Sequence, residues 1–433
     1  MKQNLLKMLI LSAVVSLVAL VGNSSAAEWY KGQLHCHSSW SDGNTLPELA
    51  ISWYKDHGFH FMCLSDHNVL QIDPNAWRDV SKEATFNARG EVPESAILEA
   101  RQRFGLDWVE TKEEDGKTRM RLKTFDELAA KLNVPGQFLL IRGHEQNVGV
   151  AGFSLHANAI NITESIPFPN TFPSVAAAAL AWRKATLENS TKNNLDGFWM
   201  LNHPDWPYYD NAPEELIEAS DVEFYENNMA AGPRKRQPQM PDTEKYWDIV
   251  NAFRLLAGGK PVYSVATDDT HNYLVFRDNG ANPGQGWVVV RSETLQANDL
   301  FQSMKKGDFY SSCGVVLKDV RFDSTTKTLT VEVDPAENVR YTIRFVGTKK
   351  GFDPKKEPVE IPAEGDTLPL RKTFTYSDQI GMTFKSVSGT TASYQMQPDD
   401  MYVRAIITSD RKPQYKDANK PEFETAWTQP VGW

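Results

Sequence analysis

The chain has 433 residues, 41% hydrophobic and 24% charged, proportions that exclude a disordered, collagenous or disulfide-stapled class and allow one large domain with a smaller one. Its formal charge is −10, and setting aside the two lysines of residues 1–27, which hold no acid, takes this to −12. That balance argues against a protein that coats nucleic acid in bulk.

Residues 1–27 read as an export signal. Lys2 and Lys7 form a basic start, residues 9–21 are nearly all apolar, and Ser25-Ala26-Ala27 offers small residues for cleavage before Glu28. The apolar run is short for a membrane span and no second run follows, so the mature chain is expected to be exported, periplasmic or secreted, without a span. The remainder holds three cysteines, Cys36, Cys63 and Cys313, too few for a disulfide framework.

Seven apolar runs predict strands at residues 33–37, 59–65, 138–143, 156–160, 198–202, 222–225 and 262–266. Several are apolar throughout, as in strands buried on both faces of a parallel sheet. Helices are expected between them. Thr45-Leu46-Pro47-Glu48 has capping-box spacing ahead of a stripe of Leu46, Leu49, Trp53 and Tyr54. Thr124-Phe125-Asp126-Glu127 repeats the signal, and further helices are expected over 174–187, 213–219 and 243–256, the last closed by Gly258-Gly259. The alternation predicts an α/β fold with a parallel sheet, open or closed into a barrel.

Residues 73–123 are long for one crossover and carry a hairpin signal at Asp115-Gly116. They read as an insertion near the site mouth, either a lid or a surface elaboration. After Cys313-Gly314 the pattern changes to strict alternation, as in Leu329, Val331, Val333 and in Val339, Tyr341, Ile343, Phe345. Residues 315–433 are therefore expected to form a small all-β domain of sandwich type, without histidine and without chemistry.

Chemistry concentrates in six clusters that take seven of the nine histidines: His35-Cys36-His37, Ser65-Asp66-His67, His144-Glu145, His156, Asn202-His203-Pro204 and Asp268-Asp269-Thr270-His271. All but His156 follow the end of an apolar run, and the C-terminal ends of strands are where such sheets place active residues. His35 and His37 lie on one side of an extended segment, with Cys36 on the other as a packing residue. Imidazoles and carboxylates without thiolate suit Zn, Mn or Fe, and metals so held acidify water for hydrolysis.

The ordered set His35-x-His37, Ser41-Asp42-Gly43, Ser65-Asp66-His67-Asn68, Gly143-His144-Glu145, His156, Asn202-His203-Pro204 and Asp269-x-His271 resembles the PHP (polymerase and histidinol phosphatase) metallohydrolases over residues 31–313. Gly284-Gln285-Gly286-Trp287-Val288-Val289-Val290 and Gly307-Asp308-Phe309-Tyr310 look like the exported, carbaryl-hydrolase-like branch. The resemblance implies a distorted seven-stranded β/α barrel over 28–314 with two or three divalent metal ions. It implies His35, His37, Glu145 and Asp269 on a first metal, Glu145, His156 and His203 on a second, and Asp42, His67 and His271 on a third. Asp66 would orient a ligand, His144 would pack or support, and, if the third site is empty, Asp42 or His67 would protonate a leaving group.

The reaction expected is phosphoester hydrolysis, with a metal-bridging hydroxide attacking phosphorus. The substrate class is a small phosphorylated sugar, nucleotide or lipid headgroup. Arg142, Arg183, Arg234, Lys235, Arg236 and Arg277 are the cations near predicted loops, with Arg234 and Arg236 the best placed for phosphate. Trp206 and Tyr208, and Trp40 beside Asp42, either stack on substrate or pack the pocket wall. The alternative electrophile is a carboxylic ester, carbamate or amide. A rival of another class is a carbohydrate- or ligand-binding protein with structural metal, suggested by the C-terminal β-region and twelve tryptophans.

Overall fold

A computed structural model describes residues 27–82, 91–150, 152–166, 172–204, 211–228, 240–361, 370–416 and 421–433. The export-signal reading falls on residues outside these, apart from Ala27. The fold is mixed α/β and is dominated by one large sheet.

The sheet runs, in order, Tyr263–Ala266, Phe224–Asn228, Phe198–Leu201, Phe153–Ile160, Leu139–Val150, Phe61–Leu64, Glu28–Gln33, Trp287–Ser292, Phe309–Ser312, Thr425–Thr428, Asp400–Ser409, Tyr341–Lys349 and Met382–Ser388. Six of its first seven strands overlap expected apolar runs, and the remaining one, Glu28–Gln33, meets the run expected at 33–37 only at Gln33. Beyond Gln33 and Ala266 the backbone remains paired: Asp269 N–H donates to the His35 carbonyl (3.0 Å) and His37 N–H to that of Thr270 (2.9 Å). The seventh strand thus ends beside the first.

Strand Phe61–Leu64 shows why these runs are apolar throughout. Phe61 and Cys63 join a core with Ile141, Ile160, Met200, Phe224 and Val265, which Leu300, Phe301 and Met304 of helix Ala297–Lys305 also enter. Met62 and Leu64 face the other way, against Ile51 and Tyr54 of helix Pro47–Asp56 and Leu128 and Leu132 of helix Phe125–Leu132. Both faces are covered, so neither can be polar.

Three local expectations change. The first strand is Glu28–Gln33 and not 33–37, so His35 and His37 stand just past its end. The strand expected at 138–143 runs on through Val150 and turns back antiparallel as Phe153–Ile160, with Glu145 opposite Asn158 and Asn147 opposite His156. This hairpin accounts for His156 opening its apolar run: the direction is reversed, so the early half of that strand lies at the same end as Glu145. Finally, no Thr45 box forms. Pro47 stands at the first helical positions with Leu46 as cap, and Glu48 is buried and accepts from Trp108 Nε1 (3.0 Å). The Thr124 box does form, the Thr124 hydroxyl accepting from Glu127 N–H (3.4 Å) and the Glu127 carboxylate accepting from Thr124 N–H (2.8 Å).

The insertion is a small unit of four strands and helix Glu94–Phe104. Thr111–Glu114 and Lys117–Arg121 pair as a hairpin through Asp115 (φ 53°) and Gly116 (φ 73°), the paired positive angles of a type I′ turn. After Gly314 a three-stranded sheet of Leu317–Asp323, Thr328–Val333 and Thr391–Gln395 packs on the far end of the large one. Leu329, Val331 and Val333 meet Ile343, Phe345, Ala405 and Ile407 there in a shared core. The large sheet is continuous into this region, because Phe309–Ser312 pairs with Thr425–Thr428.

Candidate metal centre

Glu145 lies at the centre of the clusters. Its side chain is 1% exposed. Oε2 is 3.3 Å from His35 Nε2, 3.3 Å from His37 Nε2 and 2.9 Å from His67 Nδ1, yet it receives no hydrogen bond. Oε1 is 3.1 Å from His156 Nδ1 and 3.5 Å from His203 Nε2, and accepts from Asn202 Nδ2 (2.8 Å).

His35, His37, Glu145 and Asp269 make a compact set. His35 Nε2 and His37 Nε2 are 3.2 Å apart, and each is 3.1 Å from Asp269 Oδ1. Four ligands about 2.0–2.1 Å from a tetrahedral metal lie roughly 3.3 Å from one another, so the cage has the size a divalent ion requires. The chemistry agrees. His35 Nδ1 is 2.8 Å from Glu226 Oε1, so in the neutral imidazole the proton would sit on Nδ1 and Nε2 would be the nitrogen free to ligate. Imidazole and carboxylate atoms crowded this closely in a buried space suit a shared cation.

Two further groups adjoin the first, and all three are of a kind that can hold a metal: His67, Glu145 and His156, and His37, Asp42, His67 and His271. In the latter, His271 Nε2 is 3.3 Å from Asp42 Oδ1, and His271 Nδ1 donates to the backbone carbonyl of Asp269 (2.8 Å). His67 and His271 rings lie 4.4 and 4.1 Å from the ring of His37. Depth differs between the groups. His35 and His37 are fully buried, whereas Asp42, His156, His67 and His271 are 16%, 21%, 22% and 24% exposed in their side chains. His203, its ring 4.8 Å from that of His156, bears a backbone φ of 24°.

Charge is balanced within the cluster. Burial favours the neutral acid in Glu145, but His35, His67 and His156 outweigh it and hold the carboxyl well below the usual range. Burial is likewise outweighed in Asp269 by His35 and His271, and in Asp42 by His271, His37 and His67. Burial also opposes the charged imidazoles, yet Asp269, Glu226 and Glu145 raise His35, Glu145 and Asp42 raise His67, and Asp269 with Asp42 raises His271 to about 9. Bound metal would displace these protons.

The remaining candidates separate by position. Asp66 is not in any ligand group. Its carboxylate accepts from Ser38 N–H (2.8 Å), Ser38 Oγ (2.9 Å), Ser41 Oγ (2.7 Å) and Gln71 Nε2 (3.0 Å), so it holds the loop that carries Asp42. Gly43 closes that loop, and a Cβ there would sit 2.6 Å from the His37 backbone. Asp268 takes N–H bonds from Gly284 (2.6 Å), Gln285 (2.6 Å) and Gly286 (2.7 Å), which leaves Asp269 as the one of the adjacent pair that faces His35 and His37 and explains the Gly284-Gln285-Gly286 run as an anchor. Cys36 packs behind the site, its thiol donating to the Cys63 carbonyl. His144 projects opposite to Glu145, and burial pulls its pKa down to about 4.

Trp40 is packing and not a substrate platform. It is 3% exposed among insertion residues Val92, Ile97, Val109 and Met120, and its Nε1 donates to the Lys123 carbonyl (3.0 Å). The insertion also holds the loop through Arg78, whose guanidinium donates to the carbonyls of Ser39 and Trp40. Arg142 and Arg183 pair with Asp126 and Glu223, away from the ligand groups. Trp206, Tyr208, Arg234, Lys235 and Arg236 lie outside the described residues. Two site residues went unrecognised in the sequence. Asn202 was noted only as a neighbour of His203. Glu226 follows the apolar run 222–225 as an acid past a strand, which was its signal.

No protein-family model matches the chain, and no curated protein does. Among solved structures the chain is similar to a two-domain protein containing a PHP-like metal-dependent phosphoesterase from Bacteroides vulgatus, at 13% identity and TM-score 0.38, over 94% of this chain and 96% of that one. It is also similar to a metal-dependent phosphoesterase from Bifidobacterium adolescentis, at 12% identity and TM-score 0.30, over 56% and 87%. A third is an amidohydrolase from Chromobacterium violaceum with bound sulfate and no metal, at 12% identity and TM-score 0.26, over 58% and 93%. At such TM-scores none of the three bears on the activity.

Proposed function

We propose that the chain is an exported metal-dependent hydrolase of the PHP type, first of all a phosphoesterase, its seven strands forming the distorted barrel that this type implies. The observation that carries the reading is Glu145 Oε2, buried within 3.3 Å of three imidazole nitrogens and hydrogen-bonded to none. Divalent ions held by His35, His37, Glu145 and Asp269, by Glu145, His156 and His203, and by Asp42, His67 and His271 would supply an acidified water and positive charge toward a developing oxyanion.

The chain's own part is orientation. Asn202 ties down Glu145 Oε1 and is itself held by Asn158 Oδ1 (2.9 Å), so the carboxylate plane is set before substrate arrives. Asp66 and Gly43 set the loop of Asp42. Where this third group holds no metal, its partly exposed Asp42 and His67 are placed to pass a proton to a leaving group.

Hydrolysis of a carboxylic ester, carbamate or amide at the same groups is the second reading. It is favoured by one observation: among the described residues, the ion pairs of Asp42, Glu145 and Asp269 are all with histidines and none is with arginine or lysine. Export rests on the basic start and apolar run of residues 1–27, and a mature chain starting at Glu28 outside the cytoplasm would support it.

Turnover of matched nitrophenyl phosphomonoester, phosphodiester and carboxylic ester by the metal-loaded protein, with His203→Ala as control, decides between the readings. Phosphoester turnover lost in the variant supports the first, and ester turnover alone the second. Tight ligand binding without turnover would support a binding protein with structural metal.

A further inference from the structure

Glu226 is fully buried in the middle of strand Phe224–Asn228 and belongs to none of the three ligand groups. Three donors converge on its carboxylate. His35 Nδ1 lies 2.8 Å from Oε1, the Thr267 hydroxyl donates to the same oxygen, and His203 N–H donates to Oε2 (2.9 Å). The residue therefore touches the side chain of one predicted ligand and the backbone of another, from a strand that contributes no ligand of its own.

We propose that Glu226 is a positioning residue for metal at this centre, an inference that rests on the metal-dependent reading above. A neutral imidazole carries one proton, and the nitrogen without it is the one that can ligate. By accepting from Nδ1, Glu226 sets the His35 tautomer and aims the Nε2 lone pair at the cage shared with His37, Glu145 and Asp269. Thr267 and His203 N–H restrain the carboxylate in turn. The second contact acts on geometry: His203 has φ 24°, an angle sparsely used outside glycine, and the bond from its N–H to Glu226 holds that backbone in place. One buried carboxylate thus orders two histidines on two sides of Glu145.

Replacement by glutamine keeps the size but not the function. The amide oxygen can accept from either His35 or His203, and the amide nitrogen then faces a donor. Supporting carboxylates of this kind change metal affinity by roughly 10- to 100-fold.

The test is titration of the metal-free, full-length protein with Co(II), followed by its absorption bands, for the wild type and Glu226→Gln, with the melting temperature of each metal-free form recorded alongside. The expected result is a roughly 10- to 100-fold weaker Co(II) affinity in Glu226→Gln. A folded variant that binds Co(II) as tightly as the wild type overturns the proposal. A wild type that binds no Co(II) overturns the metal reading itself and the proposal with it. Should Glu226→Gln fail to fold, nitrogen NMR of the metal-loaded wild type decides. A proton on His35 Nδ1 with Nε2 on the metal upholds the assignment, and a proton on Nε2 overturns it.

Discussion

Asp248 and Arg404 form an ion pair at 2.6 Å with 2% and 0% of their side chains exposed, joining helix Thr243–Leu256 to strand Asp400–Ser409. The Tyr402 hydroxyl donates to the same carboxylate (2.6 Å), and the guanidinium lies 4.5 Å from the centre of the Trp247 ring. Arg404→Met should destabilise the protein by about 3–5 kcal/mol, because Asp248 is left buried without its counter-charge. Removing both charges, as Asp248→Leu with Arg404→Met, should cost less than the single change. Urea denaturation of the three variants checks the order, and a double variant less stable than Arg404→Met would contradict it.

Glu145→Gln should lower activity more than about 100-fold, beyond the upper range for loss of a supporting group. Glutamine has the same shape but offers one weak acceptor where two anionic oxygens face five imidazoles. Retained folding is expected, since Asn202 can still donate to the amide oxygen. The check is turnover together with bound metal per chain, both of which should fall.

The metal-free protein should lose stability as pH rises from about 6.5 to 9. His35, His67 and His271 are raised above the ordinary 6.5, His271 to about 9, so their contribution is whole below 6.5 and vanishes as they deprotonate. Asp42, Glu145 and Asp269 are lowered, so theirs is present above the ordinary carboxyl range and is lost only in acid. Metal behaves oppositely, since it competes with those histidine protons and binds better as they leave. Melting temperatures with chelator and with added metal should therefore diverge between pH 6.5 and 9. Parallel curves would show that the histidines do not bind the metal.

Trp40 tests the insertion as a support for the Asp42 loop. Trp40→Phe removes the bond to the Lys123 carbonyl and should cost about 1 kcal/mol. Trp40→Ala opens a cavity among Val92, Ile97 and Met120 and should cost about 3–5 kcal/mol. If the insertion supports the loop, turnover per folded molecule falls along the same series. Unchanged turnover in folded Trp40→Ala would leave the insertion a surface elaboration.

What the sequence determined by itself was local. The Thr124 capping box and the Asp115-Gly116 turn need only neighbours within a few residues, and both form as their spacing dictates. The doubly covered strands were legible because burial on both faces leaves no polar position, as in Phe61–Leu64. The His and Asp clusters were legible because chemistry at a strand end breaks an apolar run abruptly.

Tertiary structure decided what depends on partners distant in the chain. Nothing within a few residues of His156 reveals that its strand is reversed, which follows only from its pairing with Leu139–Val150. Asp268 and Asp269 are chemically identical, and the three N–H groups of residues 284–286 are what make one an anchor and leave the other to face His35 and His37. Thr45 has the spacing of a cap, but Pro47 at the helix start and burial of Glu48 against Trp108 displace it. Glu226 lies 191 residues from the imidazole it orients. Its role is a hydrogen bond 2.8 Å long across the sheet, and such a contact exists only once the strands have been brought together.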